Sequence, residues 1–212
     1  MASKNLEVIS NPLCDVNLTR LRDKKTSHSE FREIVDRLSS FLAYECAGEI
    51  KTVPKKIQTP LAPFTGKQIS GEIVLVPILR AGLGLINGFL KLMPTARVAH
   101  IGIYRNEETL EPIEYYFKFP KLKNISSATV IILDPMLATG GSVCATIDKL
   151  KKKGAKKIIV ASVVSAPEGI SEVHKNHRSV KIITCALDKK LNKLGYIVPG
   201  LGDAGDRIFG TK

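Results

Sequence analysis

The sequence predicts an α/β fold built on a central, mainly parallel sheet with helices on both faces. Two patterns carry this reading: near-continuous Val/Ile/Leu runs recur between Ile73 and Leu187, and helix-compatible segments separate them. Strands that are apolar on both sides need cover on both sides, which is the habit of parallel sheets. In such sheets ligands bind beyond the carboxyl ends of the strands.

The elements follow in order. Ser27-His28-Ser29-Glu30 is a capping box, and Phe31, Ile34, Val35, Leu38, Phe41 and Leu42 recur at helical spacing, which predicts an amphipathic helix from about 28 to 48. Lys51 to Gly71, with Pro54, Pro60 and Pro63 among apolar residues, reads as short strands or a hairpin. A strand is expected over Ile73 to Ile78, a helix over Gly82 to Met93, and strands over Arg97 to Tyr104 and Thr129 to Leu133. A helix from about 142 to 153, a strand over Lys157 to Val164, a helix from about 167 to 177 and a strand over Val180 to Leu187 complete the series. Between Arg105 and Lys123 the polar run Asn106-Glu107-Glu108-Thr109 leads into the aromatic stretch Ile113 to Phe119, a flap over the site, an arm toward a second subunit, or a hairpin on its own domain.

Composition sets the outer bounds. The 212 residues are 44% hydrophobic and 25% charged, so one globular domain over 1–212 is expected and wholesale disorder is excluded. No apolar run has the roughly 18 residues of a membrane span, and Met1-Ala2-Ser3-Lys4-Asn5 leads into no signal-peptide core, so a cytoplasmic protein is expected. Cys14, Cys46, Cys144 and Cys185 are widely spaced, which suggests reduced, buried thiols. The net charge of +12 favours a polyanionic partner: nucleic acid, an anionic membrane surface or a multiply phosphorylated small molecule. Aromatic residues do not punctuate the basic stretches as a base-stacking platform requires.

The chemistry concentrates in Val130 to Ser142. A buried strand delivers Asp134 at its end, and a short loop reaches Thr139-Gly140-Gly141-Ser142 at a helix start. Converging backbone N–H groups, two hydroxyls and the positive end of a helix make a phosphate cradle. The acid upstream can reach hydroxyls of the same ligand, and the pair describes a ribose 5-phosphate. Other nucleotide loops fit less well. Thr65-Gly66-Lys67 lacks the upstream glycine and following hydroxyl of a P-loop, and Gly200-Leu201-Gly202-Asp203-Ala204-Gly205 matches the dinucleotide fingerprint by letter but has only seven residues after it.

Asp134 to Ser142, reading DPMLATGGS, resembles the phosphoribosyl-diphosphate (PRPP) loop of type I phosphoribosyltransferases, in the form found in uracil phosphoribosyltransferases. Pro77 to Gly84, Arg105 to Thr109 and Tyr196 to Arg207 are similar to further motifs of that family. Type I loops usually carry two adjacent acids, whereas here Pro135 follows Asp134, as in the uracil branch. The resemblance implies a type I fold with a small C-terminal base-binding hood over about 196–207 and a protruding β-arm over about 105–123.

It also implies roles. Asp134, Pro135, Met136, Leu137, Ala138, Thr139, Gly140, Gly141 and Ser142 bind PRPP, with Ala138 to Ser142 on the 5-phosphate and Asp134 toward the ribose hydroxyls. Arg80 and Arg105 are the diphosphate-side arginines, Ile197, Gly202 and Ala204 contact uracil, and Asp203 faces the ribosyl or metal side as a candidate general base. Mg2+ is expected through PRPP, with no direct protein ligand. The implied reaction makes UMP and diphosphate from uracil and PRPP, in a homodimer or larger assembly; GTP activates some relatives. A phosphoribosyltransferase for another base, or a PRPP-sensing regulator that binds nucleic acid, are the alternatives. His174 and His177, one turn apart, read as an exposed helix face, and the lysines at 149, 151, 152, 153, 156 and 157 as a solvated one.

Overall fold

The computed structural model describes residues 5–105 and 112–211. Strand β1 (Leu6–Val8) and helices α1 (Pro12–Arg22) and α2 (His28–Gly48) precede a hairpin of β2 (Thr52–Gln58) and β3 (Pro63–Ile69). Strand β4 (Ile73–Leu79) runs through a 3-10 turn (Ala81–Leu85) into α3 (Ile86–Leu92), followed by β5 (Arg97–Val98), β6 (His100–Arg105) and β7 (Pro112–Lys118). Then come β8 (Thr129–Leu133), β9 (Met136–Leu137), α4 (Gly141–Lys152), β10 (Lys157–Ser165), α5 (Pro167–Asn176) and β11 (Lys181–Leu187). Two short strands, β12 (Lys190–Leu191) and β13 (Ile197–Val198), and helix α6 (Ala204–Phe209) close the described chain.

The main sheet has the order β1-β11-β10-β8-β4-β6-β7, parallel throughout except for β7 at one edge. Strand residues alternate between two cores. Leu75, Ile131, Leu133 and Ile159 pack with α2 and α3, while Val74, Val76, Val130, Ile132 and Val160 pack with α4 and α5. That division explains why the strands read as unbroken apolar runs, since a residue facing either way meets a helix.

The hairpin expected over Lys51 to Gly71 is present, and three differences from the sequence reading have local causes. Helix α1 has a weak apolar stripe, Cys14, Leu18 and Leu21, and is started by Asn11, whose Oδ1 accepts the N–H groups of Leu13 and Cys14 at 2.9 and 3.4 Å. The element that stands exposed is the β2–β3 hairpin, paired residue for residue from Thr52↔Ile69 to Gln58↔Pro63, with only Gly66 partly covered. The arm expected at about 105–123 is instead antiparallel strand β7, paired to β6 in the main sheet; Asn106 to Thr109 lie outside the described residues. His177 is buried, not on an open helix face: it follows the last turn of α5, its Nδ1 lies 3.0 Å from Lys151 Nζ, and its Nε2 has no hydrogen-bond partner. Burial, reinforced by the Lys151 charge, lowers its pKa.

The lysine cluster is likewise engaged with protein groups. Lys149 pairs with Glu114 and lies 4.6 Å over the Phe117 ring, Lys153 sits over Phe117 and Phe119, and Lys157 donates to the Glu49 carbonyl. Of the four free thiols, Cys14, Cys46 and Cys185 are buried and Cys144 is partly exposed. No helix among the described residues is long and apolar enough to cross a membrane.

Candidate active site

The site lies beyond the carboxyl ends of the central strands. Strands β4 and β8 pair in register, Pro77 opposite Leu133, so Arg80 and Asp134 emerge side by side just past the sheet. The turn that carries Arg80 passes close over β8: a Cβ on Gly82 would lie 2.4 Å from the Leu133 carbonyl oxygen. Glycine is therefore required there, and the segment expected to be a helix from Gly82 begins as a tighter 3-10 turn.

The loop expected to cradle phosphate is held from behind. Asp134 N–H donates to the Ala161 carbonyl at 3.1 Å, the Pro135 carbonyl accepts from Val163 and Val164, and Leu137 N–H donates to Ser162 Oγ at 3.2 Å. Pro135 thus serves the loop as a strut and does not line the cradle, while the Leu137 side chain is buried in the core. Gly140, at φ +85°, caps α4, and its neighbour Gly169 packs so tightly on the loop that a Cβ there would lie 2.4 Å from the Ala138 carbonyl oxygen. A concavity of about 50 Å³ results, lined by Asp134 and by Met136 to Val143 at the start of the twelve-residue helix α4. Burial pushes the Asp134 carboxyl up to about 7, against a weaker opposing hydrogen bond from Met136 N–H.

Beside the cradle is a cleft of about 650 Å³, lined by Ala81, Met136, Ala138, Leu194 to Ile197 and Gly202 to Gly205. Met136 and Ala138 belong to both walls, so the two spaces are adjoining. Ile197, Gly202, Asp203 and Ala204, all singled out in the sequence, meet here. Asp203 caps α6 through Oδ1, which accepts Asp206 N–H at 2.9 Å, and Asp206 Oδ1 accepts from Arg80 Nη2 at 3.3 Å. Arg80 is more than half exposed and reaches the same corner. Arg105 ends β6, but its side chain lies outside the described residues.

Three residues that the sequence reading passed over support the cleft. Arg22 and Asp188 form a two-point ion pair beneath Gly200, and Arg207 donates to the carbonyls of Leu21, Leu201 and Asp23. Asp188 carried a usable signal, an acid ending an apolar strand just as Asp134 does. Arg207 closed the motif Tyr196 to Arg207 without a role being assigned to it, and Arg22 carried no signal.

A sheet of this order, with a glycine loop into a helix after one central strand, an arginine turn after its neighbour and a C-terminal loop across the gap, defines a phosphoribosyltransferase fold. The adenine phosphoribosyltransferase of Trypanosoma brucei shares it at a TM-score of 0.59 over 88% of this chain and 85% of that one, at 14% identity. A solved protein of Aquifex aeolicus matches far more closely, with TM-score 0.91 and 36% identity over 98% of this chain and 99% of that one.

The family is narrower than the fold. The family model described as uracil phosphoribosyltransferase matches residues 8–211. The uracil phosphoribosyltransferase of Pediococcus pentosaceus is 52% identical over 97% of this chain and 98% of the relative; that of Streptococcus equi subsp. zooepidemicus is 50% identical over the same shares. The chain belongs to the uracil phosphoribosyltransferase family and is an enzyme of the pentosyltransferase class.

Proposed function

We propose that this chain transfers the 5-phosphoribosyl group of PRPP to N1 of uracil, giving UMP and diphosphate with inversion at the anomeric carbon. The observation that carries the reading is the shared wall: a small concavity at a helix start and a larger cleft with room for a base and a sugar meet at Met136 and Ala138, so one nucleoside monophosphate spans both. Ala138 to Ser142 hold the 5-phosphate by backbone N–H groups and the positive end of α4, and Asp134 accepts from the ribose hydroxyls. Backbone groups around Gly202 and Ala204, with Ile197 against the ring, read the uracil edge.

The bond from the anomeric carbon to diphosphate breaks as the bond to N1 forms, and the carbon passes through oxocarbenium character. Arg80 and Arg105 neutralise the departing diphosphate, which is the larger part of the task, and the cleft holds the acceptor in line. Asp203, a carboxylate that lines the cleft, is the candidate general base for the N1 proton. Mg2+ is taken to arrive on PRPP, with no direct protein ligand. Bound there, Mg2+ supplies further positive charge to the leaving group.

A homodimer or larger assembly is part of the proposal. An isolated two-stranded ribbon is marginal in water, yet β2–β3 presents Val53, Ile57, Phe64 and Ile69 at the surface, and a second copy is the natural cover. A cytoplasmic location is also proposed, in keeping with four free thiols. The nucleic-acid regulator is less well supported, since Lys149, Lys151, Lys153 and Lys157 already meet protein partners.

The test is an acceptor comparison. Uracil, hypoxanthine and adenine are offered with PRPP and Mg2+, with and without GTP, on protein of measured mass in solution. UMP from uracil alone is expected; consumption of PRPP with adenine and not with uracil contradicts the assignment.

A further inference from the structure

The base cleft is bounded on one side by a loop that no main-sheet strand holds. Between β13 and α6 the chain passes through Pro199, Gly200 and Leu201 before it reaches Gly202, Asp203 and Ala204. Gly200 sits at φ +59°, folded back so tightly that a Cβ would lie 2.1 Å from the Ile197 carbonyl oxygen. Such a turn has no ladder to fix its angle.

Two charged side chains fix it instead. Asp188 Oδ2 accepts the Gly200 N–H at 2.7 Å and Arg22 Nη1 at 2.8 Å, while Asp188 Oδ1 accepts Arg22 Nη2 at 2.7 Å. Arg22 Nη1 also donates to the Gly200 carbonyl at 2.8 Å. Donor and acceptor of one residue are thus clamped by one ion pair, in a closed ring of hydrogen bonds. Both charges come from outside the loop, Arg22 from the end of α1 and Asp188 from just past β11.

The side chain of Asp188 is 5% exposed and that of Arg22 23%. Buried ion pairs are often no better for stability than well-packed apolar residues, because desolvation offsets the attraction. What the pair does beyond stability is geometric, since it holds both the N–H and the carbonyl of Gly200. We propose that Arg22 and Asp188 are positioning residues for base recognition: by clamping Gly200 they set the backbone of Gly202 and Ala204 against the edge of the base. This rests on the reading of that loop as the base pocket.

The experiment measures KM for uracil, KM for PRPP and kcat in Arg22→Lys and Asp188→Asn, with the folded fraction read from thermal melts. Lysine keeps the charge but cannot span Asp188 and the Gly200 carbonyl together; asparagine keeps the shape but turns an amide toward a guanidinium. A rise of about tenfold in KM for uracil is expected, with KM for PRPP within about twofold, as for a loop that has lost its orientation rather than its chemistry. A purely structural role predicts a lower melting temperature and loss of active protein with both KM values unchanged. That result, or an equal rise in both, overturns the proposal. If Asp188→Asn does not fold, Arg22→Lys decides alone. If the wild type makes no UMP from uracil but uses another base, the family-based reading fails, and the same split measured with that base still decides the positioning role.

Discussion

The phosphate cradle and the base cleft share two wall residues and are built in opposite ways. The cradle is contiguous in sequence, grows directly out of β8, and is braced by β10 and by Gly169 of α5. The cleft is assembled from the 3-10 turn after β4, from β9, and from a C-terminal loop tied to α1 by Arg22 and Arg207. A phosphate is the same in every phosphoribosyl donor, so a rigid, local device suffices. A base edge must be discriminated, and the loop proposed to read it is tied by side chains that come from outside the loop.

Breaking the corner where the two regions meet has the largest expected effect. Asp203→Asn should lower kcat by about 10²-fold or more, in line with losing a general base. It should leave the melting temperature nearly unchanged, because asparagine caps a helix as well as aspartate does and can still accept the Asp206 N–H. An unchanged rate would remove Asp203 from the chemistry.

Next comes the brace of the cradle. In Gly169→Ala the new Cβ meets the Ala138 and Leu137 carbonyl oxygens at 2.4 and 2.9 Å, so the loop must shift. A loss of about 1 to 3 kcal/mol in stability is expected, as for overpacking, with a raised KM for PRPP. Denaturant melts and initial rates check both parts.

Asp134 sharpens the comparison through pH. Its carboxyl is raised from 3.8 to about 7 by burial, so the folded chain binds a proton that the unfolded chain has released between those values. Stability on this account falls as pH rises from about 4 through about 7 and is lowest above it. Asp134→Asn should therefore raise the melting temperature at pH 8, with the gain fading toward pH 4, while weakening PRPP binding. Melts across that range give the sign. A variant less stable than wild type at pH 8 would contradict the assigned cause.

The smallest effect belongs to the lysine cluster. Lys149→Ala removes a surface pair with Glu114 and should change stability by less than about 1 kcal/mol, with kcat and both KM values unaltered.

The same contrast explains what could be read from the sequence. The loop was legible because its parts, Asp134 and Thr139 to Ser142, lie within one strand–loop–helix unit, and strands β8, β10 and β11 were legible because burial on both faces leaves them mostly apolar, with only a few Ser, Thr and Lys residues. The clamp on the base loop was not, since Arg22 and Gly200 are 178 positions apart and nothing local marks either as a partner. His177 misled for a related reason: spacing along α5 said nothing of α4 packing over it. The exposed arm was misplaced because nothing in the polar and aromatic run Asn106 to Phe119 shows that Ile113 to Phe117 pair with β6 at the edge of the main sheet.

The central claim is that the cradle reads the phosphoribosyl donor and the clamped loop reads the base. It is tested most directly by measuring both KM values in Gly140→Ala and Gly200→Ala. Each forces a Cβ onto a left-handed glycine, at 2.9 Å from the Gly169 carbonyl oxygen in the first and 2.1 Å from the Ile197 carbonyl oxygen in the second. The account predicts a crossed result, with KM for PRPP raised in Gly140→Ala and KM for uracil raised in Gly200→Ala. Equal changes in both constants for both variants would contradict it.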